Sequence, residues 1–329
     1  MTKHSPPSRL TSRLIRAIGD QIAPRGKEDG RLCILNYHRV LQAADPMLES
    51  EPDVQAFRWQ MELLADCFNV MPLAEALECL QKERMPPRAV CISFDDGYRS
   101  IHDLALPILK EFKLPATVFV TTGYIDGGVM WNDQIINAVQ HLPSGQLDLR
   151  DIGLGLHYVD SVNDRQMAMN RLTALSKYLR PAVRDDLARK LRDLVGSIPA
   201  SAPMLTREMI SNLVNDGIEI GAHTISHPIL TNLDDESARQ EIFGSKHHLD
   251  SLTGRPTRLF AYPNGKVGVD FDERHVRMAQ EAGFSAAFTT ASGAATNRHH
   301  RFKLPRSRPW DATPARFGLR LLRWLAGST

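Results

Sequence analysis

The sequence predicts an α/β fold in which short buried strands alternate with amphipathic helices around a parallel sheet. Three observations support this prediction: short apolar runs recur along the chain, stretches with apolar residues every three or four positions separate them, and polar residues directly follow several runs. This alternation is typical of a β/α barrel and of a doubly wound sheet, and the pattern by itself leaves both architectures open.

The composition is that of an ordinary folded protein. The 329 residues are 43% hydrophobic and 24% charged, which is enough apolar material for a buried core. Forty basic and 38 acidic side chains leave a net charge of +2, so we expect no nucleic-acid partner. No run of about 18 apolar residues occurs, which predicts no transmembrane helix. The first residues also lack the apolar stretch of a signal peptide, so we expect a cytoplasmic protein.

The first part of the chain has a basic tail over residues 1–30 and then predicts strands and helices in turn. The continuous apolar run Leu32–Tyr37 indicates a buried strand that ends at His38. The following predicted elements are helices over residues 57–68 and 73–82, a strand over Ala89–Phe94, a helix over residues 100–112 and a strand over Ala116–Val120. Cys33 and Cys91 lie within two of these strands, where we expect them to pack in the core.

An insertion interrupts this alternation over residues 126–206. Gly and Pro clusters surround one charged stretch, Asp164–Leu194, which we predict to be a single long helix. The alternation then resumes with helices over Thr206–Asp216, Asp235–Leu252 and Asp272–Ala282 and with strands over Ile218–Ala222, Leu259–Ala261 and Phe284–Thr289. We therefore take residues 31–310 as one domain that carries a helical insertion.

Both ends of the chain predict basic amphipathic helices, the second over residues 311–329. The arginines on one face of each helix are Arg9, Arg13 and Arg16, then Arg316, Arg320 and Arg323. The apolar residues on the opposite faces are Leu10, Leu14, Ile18 and Ile22, then Phe317, Leu321, Trp324 and Leu325. Such helices either cover a protein core or lie in an anionic membrane surface. We expect packing, with peripheral contact at the inner face of the cytoplasmic membrane as the alternative.

Candidate reactive side chains directly follow the predicted strands. They are His38, Asp95, Asp96, Thr121, Thr122, His223, His227 and Asn264. In parallel α/β folds the carboxyl ends of the strands open on one face, so side chains from distant parts of the chain meet there. Each motif alone has a simpler explanation, because Asp-Asp-Gly is a common turn and a His-x-x-x-His pair arises by chance.

Together these residue types indicate metal-assisted hydrolysis. The imidazoles of His223 and His227 and one carboxylate make the three-ligand set of a catalytic zinc or similar divalent ion, which leaves a position for water or substrate. The second carboxylate of the Asp95–Asp96 pair is then available to take a proton from water.

These residues resemble the motifs of the polysaccharide deacetylase family, which contains the NodB homology domain. Ser93–Gly97 is similar to its first motif and His223–His227 to its second, within a resemblance that runs from about Leu32 to Pro309 and carries its motifs from about residue 88. The resemblance implies a distorted β/α barrel that removes acetyl from an N-acetylated sugar.

The resemblance also implies roles for individual residues. Asp95 corresponds to the general base, and Asp96, His223 and His227 correspond to the metal ligands. The segment Phe260–Gly265 is similar to the third motif, which implies that the backbone amide of Asn264 helps to hold the oxyanion of the reaction.

The chain departs from the family pattern at the third and last motifs. Ala261 stands where the family has an arginine that orients the base, and Asn264 stands where it has an aromatic residue. The late Leu-x-His that supplies a general acid is replaced by Leu304-Pro305-Arg306. Arg306 cannot give up a proton near pH 7, but it could replace the missing arginine beside the base.

His38 is our candidate for the general acid. Tyr37-His38 ends the first strand, as in a subgroup of the family, and a histidine at that end of the barrel could protonate the leaving amine. A buried histidine with no role in catalysis is the alternative. His299 and His300 are competitors, although they lie in a basic loop that we expect on the surface.

The predicted function is metal-dependent removal of acetyl from N-acetylated sugar units of a glycan or a lipid-linked glycan precursor. Two alternatives stay open: an O-acetyl esterase that uses the same site, and a catalytically impaired barrel that only binds glycans. Trp131, at the start of the insertion, could stack on a sugar ring or pack in the core.

Overall fold

The computed structural model describes residues 6–22, 30–179, 181–196, 203–308 and 311–327. Contacts between residues divide the chain into two compact units. The barrel unit contains residues 1–43, 50–126 and 205–329, and the insertion unit contains residues 44–49 and 127–204.

A parallel sheet forms the centre of the barrel unit. Its strands are β1 (Leu32–Tyr37), β2 (Asn69–Val70), β3 (Ala89–Phe94), β4 (Thr117–Val120), β7 (Glu219–Ala222), β8 (Leu259–Ala261) and β9 (Ala286–Phe288), with β5 (Gln146–Leu149) and β6 (Gly155–Tyr158) in the insertion unit. The spatial order is β1-β3-β4-β7-β8-β9, and β2 pairs with the beginning of β3. The alternation predicted from the sequence is therefore confirmed.

A short segment after β9 joins the two edges of this sheet. Leu304 accepts a hydrogen bond from the backbone amide of Thr289 and donates one to Ala287, beside β9. Three residues later, the Ser307 amide donates to Ile34 of β1 and the Ser307 carbonyl accepts from Asn36. The sheet therefore curls back on itself, which confirms the distorted barrel of the fold prediction.

Helices connect the strands and flank them. They are α1 (Arg9–Ile22), α2 (Val54–Cys67), α3 (Leu73–Gln81), α4 (Leu106–Phe112), α5 (Trp131–His141), α6 (Val162–Ser176), α7 (Pro181–Val195), α8 (Arg207–Asn215), α9 (Asp235–Thr253), α10 (Glu273–Glu281) and α11 (Pro314–Ala326). Side-chain caps account for several starts, for example at Asp53, Thr206 and Asp234, whose oxygens accept from amides of the first turn.

The core of the barrel unit consists of apolar side chains from most strands and from α3. It includes Leu32, Ile34, Cys91, Phe119, Leu259 and Phe288, each at most 1% exposed, together with Leu73 and Leu77 of α3. Cys33 and Cys91 are both fully buried, as their positions in apolar runs predict. Cys91 belongs to this core, where burial raises the pKa of its thiol well above the ordinary value, and the Cys33 thiol lies 3.8 Å from the Leu321 carbonyl of α11.

The insertion unit has its own apolar core, and its helical part differs from the prediction. The predicted single helix Asp164–Leu194 is two helices, α6 and α7, and Pro181 begins the second because proline suits a first helical turn but not a helix interior. The antiparallel pair β5–β6 was not predicted, although Gln146–Leu149 alternates exposed and buried residues. Core residues of this unit include Ile135, Val139, Leu149, Leu172 and Leu191.

The two end helices pack against the rest of the barrel unit. Phe317, Leu321, Trp324 and Leu325 of α11 are buried, so the predicted apolar face of this helix covers protein. On α1, Ile15 is buried, whereas Leu10 and Leu14 are exposed. None of the helices in the described ranges has the length and apolar character needed to cross a bilayer.

Candidate metal centre and active site

The candidate residues lie at the carboxyl ends of neighbouring strands. His38 follows β1, Asp95 and Asp96 follow β3, and Thr121 follows β4. His223 follows β7, and Asn264 lies three residues beyond β8. The parallel order of these strands brings the side chains to one end of the sheet, as the sequence analysis expects.

Asp96, His223 and His227 converge on one point. Each offers a ligand atom, and the three atoms lie within 4.8 Å of one another. Nε2 of His223 is 3.6 Å from Oδ1 of Asp96, and Nε2 of His227 is 3.5 Å from the same oxygen. Ligands at about 2.0–2.1 Å from a tetrahedral zinc are about 3.3–3.4 Å apart, so this donor set fits such an ion.

The backbone at these positions adopts an uncommon conformation. Asp96, Thr224, His227 and Asn264 have φ between 56° and 72°, the left-handed region that favours glycine. Non-glycine residues in this region cost conformational free energy and concentrate at functional sites. The surrounding hydrogen bonds must therefore hold them in place.

Asp95 is held by two side chains from other elements. Arg306 donates from Nη1 to Oδ1 at 2.6 Å and from Nη2 to Oδ2 at 2.7 Å, and Asn36 Nδ2 donates to Oδ2 at 3.0 Å. Arg306 is 1% exposed and Asp95 3% exposed. Burial alone raises the pKa of Asp95, but the Arg306 charge and hydrogen bonds outweigh it and hold the pKa well below its ordinary value.

Arg306 therefore makes the contact with Asp95 that is expected of the family arginine, which Ala261 replaces in this chain. It reaches Asp95 from the segment that joins β9 to β1, and its guanidinium carbon lies 5.0 Å from the centre of the Phe119 ring. Ala261 is fully buried, and its carbonyl oxygen lies 2.7 Å from Nδ1 of His223. A proton on Nδ1 leaves the Nε2 lone pair directed at Asp96.

The loop that contains both histidines is fixed by hydrogen bonds from α9 and from the segment after β4. Glu241 of α9 accepts from the amides of Ile225 and Ser226 at 2.7 and 2.8 Å and from the Ser226 hydroxyl at 2.5 Å. Thr121 donates from its amide to the Asp96 carbonyl at 3.2 Å and from Oγ1 to the His223 carbonyl at 3.3 Å. Thr121 thus ties the first motif to the second.

His38 lies at the end of β1 and is partly exposed. Its Nδ1 atom is buried without a hydrogen-bond partner among the described residues. Burial lowers the pKa of His38 to about 4, although the charges of Glu51 and Asp95 act in the opposite direction. The imidazole is therefore neutral near pH 7 and lies within electrostatic reach of the candidate base.

The segment after β8 makes a tight turn at Asn264. Gly265 has a φ of 72°, and a side chain on it would clash with the amide of Thr290. Thr290 Oγ1 donates to the Asn264 carbonyl at 2.6 Å, while the Asn264 amide donates to no group in the described chain. The N–H of Asn264 therefore has no acceptor among the described residues, which is compatible with the oxyanion contact that the family resemblance implies.

The competing histidines and Trp131 lie elsewhere. Arg301, which follows His300 in the chain, donates from Nε to the carbonyl of Ser285, the residue just before β9. These two histidines therefore lie toward the amino ends of the strands, away from Asp95. Trp131 packs with the core of the insertion unit, and the Arg184 guanidinium lies 5.1 Å from its ring centre.

Asn36 and Glu241 contact the site but were not among the residues predicted for it. Asn36 is the polar residue in the otherwise apolar run of β1, and its 4% exposure shows that it is a buried polar group that needs a partner. A polar residue within an apolar run could therefore have identified Asn36 from the sequence. Glu241 lies on an amphipathic helix with many charged residues, and no local pattern separates it from its neighbours.

The chain is similar in sequence to known polysaccharide deacetylases. A profile of the family described as polysaccharide deacetylase matches residues 82–287. The Bacillus subtilis protein YxkH is 20% identical over 283 residues, covering 86% of this chain and 72% of that protein. A poly-β-1,6-N-acetyl-D-glucosamine N-deacetylase of Staphylococcus epidermidis is 32% identical over 120 residues, covering 32% of this chain and 41% of that protein.

Two solved structures share the fold. The Streptococcus pyogenes deacetylase PplD has a TM-score of 0.59 and 19% identity, and the match covers 90% of this chain and 98% of that chain. IcaB from Ammonifex degensii has a TM-score of 0.58 and 20% identity, with 91% and 98% covered. The family profile spans more than half of the sequence, including the Asp95–Asp96 and His223–His227 motifs, and the chain therefore belongs to the polysaccharide deacetylase family.

Proposed function

We propose that this protein is a zinc-dependent deacetylase that hydrolyses the N-acetyl group of sugar units in a glycan. The observation that carries the proposal is the convergence of Asp96, His223 and His227 beside a second, arginine-paired carboxylate. One carboxylate and two imidazoles would hold the ion, and an ion there supplies a polarised water and charge stabilisation for the developing oxyanion.

Asp95 is the group that we propose as the base. Its carboxylate lies 4.0 Å from Nε2 of His223, so it is beside the ligand set without belonging to it. The fork of Arg306 fixes the plane of the carboxylate and keeps it ionised, which is the form that accepts a proton. The Asn264 amide would donate to the oxyanion after attack.

His38 is the group that we propose to return the proton to the leaving amine. Because burial lowers the pKa of His38 to about 4, the imidazole is neutral near pH 7 and can take up a proton released during attack by water. The imidazolium then protonates the amine nitrogen as the carbon–nitrogen bond breaks.

The substrate class follows from the family and its relatives. The Staphylococcus epidermidis relative is named for poly-β-1,6-N-acetyl-D-glucosamine, so this polymer is the first substrate to test. A lipid-linked form of the glycan and a cytoplasmic location stay predictions of the sequence analysis. The alternative of an impaired barrel rested on the departures at Ala261 and Arg306, and the pairing of Arg306 with Asp95 now accounts for the first of them.

Metal analysis and acetate release test the proposal together. Purified protein should release acetate from oligomers of β-1,6-linked N-acetylglucosamine, lose this activity with a chelator and regain it with zinc. His223→Ala should lose both bound metal and turnover. Asp95→Asn should keep the metal and lose turnover by roughly 10² to 10⁴-fold, the range that acid–base catalysis supplies.

The controls separate the metal site from general damage. His299→Ala removes a histidine at the other end of the strands and should leave metal content and turnover unchanged. Full metal occupancy in His223→Ala, or acetate release that persists in chelator, would contradict the proposal. Release from O-acetylated glycan alone would identify the esterase instead.

A further inference from the structure

The end helices α1 and α11 pack side by side and run in the same direction. A side chain on Gly318 would overlap Ile15, and one on Gly19 would lie 3.2 Å from Leu322. The contact thus advances by four residues on both helices, from Ile15–Gly318 to Gly19–Leu322, which is one turn of each. Parallel packing at glycines brings the two backbones close together.

This packing leaves three leucines on the same outward side. Successive residues of a helix are rotated by 100° about its axis. In a parallel pair, the residue before the contact on one helix and the residue after the contact on the other therefore lie on the same side. Leu14 precedes Ile15 and Leu319 follows Gly318, and both lie on the side away from the sheet. Leu10 lies one turn before Leu14. The exposed fractions are 77% for Leu10, 56% for Leu14 and 45% for Leu319. We call Leu10, Leu14 and Leu319 the leucine strip.

Arginines lie on both sides of the leucine strip. Arg9 and Arg13 are on the far side of α1, and Arg316 and Arg323 are on the far side of α11, all exposed. Other arginines of these helices have acidic partners: Arg16 lies 3.7 Å from Asp66, and Arg320 lies 2.5 Å from Asp311. Arg9, Arg13 and Arg316 have no such ion pair with any described residue.

We propose that the α1–α11 face docks on an anionic lipid surface. An apolar strip with arginines on both sides is the arrangement of helices that lie in a membrane interface, where long cationic side chains reach the headgroups. The proposal does not depend on the deacetylase activity. The sequence offered membrane contact through the whole apolar faces of both end helices as an alternative to packing. The proposal differs from that alternative, because the large apolar face of α11 packs inward and only the leucine strip remains outside.

A second copy of the chain fits this face less well. Three leucines expose far less than the roughly 800 Å² per partner that a stable protein interface buries. Two copies facing each other would also bring together arginines that lack acidic partners, whereas anionic headgroups would attract them. Charge complementarity therefore selects a lipid surface as the occupant.

The direction of α1 and α11 shows which ends of these helices lie near the metal-site end of the barrel unit. Near the end of α11, the Leu325 carbonyl accepts from Arg31, which directly precedes β1. The residues that precede α11 include Ser307, which bonds to Asn36 near the carboxyl end of β1. The amino ends of α1 and α11 therefore lie toward the candidate metal centre, so docking would hold the site near the lipid.

Vesicle flotation of the full chain tests the proposal. Wild-type protein should float with vesicles of phosphatidylcholine and phosphatidylglycerol at low salt, stay in solution with phosphatidylcholine alone and dissociate as salt screens the charges. Leu10→Ser/Leu14→Ser should abolish flotation. Arg9→Gln/Arg13→Gln should weaken partitioning by about five-fold for each arginine, the effect of one charge near an anionic surface.

Matched controls change the same residue types elsewhere. Met167→Ser/Leu175→Ser removes two exposed apolar side chains of α6, and Arg150→Gln/Arg189→Gln removes two exposed arginines of the insertion unit. These variants should float like the wild type. All variants should release acetate from a soluble substrate at the wild-type rate, because none of these residues belongs to the site.

Three results would overturn the proposal. If the wild-type protein fails to float at low salt, the membrane contact is excluded. Equal losses in the control variants attribute flotation to net charge rather than to this face. A change of oligomeric state in Leu10→Ser/Leu14→Ser, measured by sedimentation without lipid, assigns the strip to self-association.

Discussion

The candidate base and its arginine are separated by 211 residues of sequence, yet they form a two-bond ion pair with almost no solvent contact. Removing a charge from water costs free energy, and only close geometry with several hydrogen bonds offsets that cost. Asp95 has such geometry, since Arg306 and Asn36 donate three bonds to its carboxylate. We expect this pair to matter for both activity and stability.

Replacing Arg306 tests this expectation. Arg306→Met should lower the free energy of unfolding by about 3–5 kcal/mol, because it leaves a buried carboxylate without its cation. Turnover should fall while metal content stays, since Arg306 touches the base and not the proposed ligands. Urea denaturation and elemental analysis measure the two effects.

The double variant Arg306→Met/Asp95→Asn provides the control. Removing both charges should restore much of the lost stability without restoring activity, because an uncharged pair needs no compensation. Wild-type stability in Arg306→Met, or loss of its metal, would contradict the role that we assign to Arg306.

A second prediction at this scale concerns His38. His38→Ala should slow release of acetate from an N-acetyl sugar by roughly 10² to 10⁴-fold, since the leaving amine then lacks its acid. An aryl acetate has a good leaving group and should be cleaved at nearly the wild-type rate. Acetate and phenol assays on the purified variant measure both.

The leaving-group comparison makes the His38 prediction specific. His300→Ala is the matched control and should leave both rates unchanged. An equal loss on both substrates in His38→Ala would show that His38 supports the structure of the site rather than proton transfer.

Among the elements, the loop after β7 depends on α9, the helix that follows it in the chain, through a side chain 15 residues beyond Ser226. Glu241 of α9 satisfies two amides of this loop, and the loop contains two residues in the left-handed region, Thr224 and His227. Without the carboxylate those amides lose their acceptor, and the strained backbone can relax to other conformations. The spacing of the two imidazoles would then be less well defined.

Glu241→Ala should therefore weaken metal binding by roughly 10 to 100-fold, the usual effect of losing a residue that orients metal ligands. Competition with a fluorescent zinc chelator measures the affinity. Glu236→Ala, on the exposed side of the same helix, is the matched control and should bind metal like the wild type. Unchanged affinity in Glu241→Ala would show that the loop keeps its conformation without α9.

For the molecule as a whole, the division into two units with separate apolar cores predicts separate cooperative unfolding. Leu172→Ala removes a fully buried side chain from the insertion core and should destabilise that unit by about 2–5 kcal/mol. Amide hydrogen exchange should rise in residues 127–179 and 181–196 and stay unchanged in residues 205–308.

Met167→Ala provides a matched control for this experiment. Met167 is 58% exposed on the same helix, so its loss should leave exchange unchanged. If exchange in Leu172→Ala rises equally in both units, the cores unfold together and the division does not describe the energetics of the protein.

Local patterns in the sequence were enough to predict the order of the elements and to find the motifs. Strands such as Leu32–Tyr37 and Ala89–Phe94 agree with the structure to the residue, because an apolar run is a local pattern that burial requires. The break between α6 and α7 also had a local signal in Pro181, which the prediction of one long helix overlooked. Reactive residues at strand ends were predictable since parallel strands share one face.

The contacts between side chains that are distant in sequence could not be predicted in this way. The partner of Asp95 is Arg306 because the segment after β9 closes the sheet against β1, a contact that no local pattern contains. The exposed side of α1 is set in the same way, by packing at Gly318 rather than by its own periodicity. Periodicity shows that a helix has an apolar face, but packing decides which of its residues are covered, because burial depends on neighbours from the whole chain.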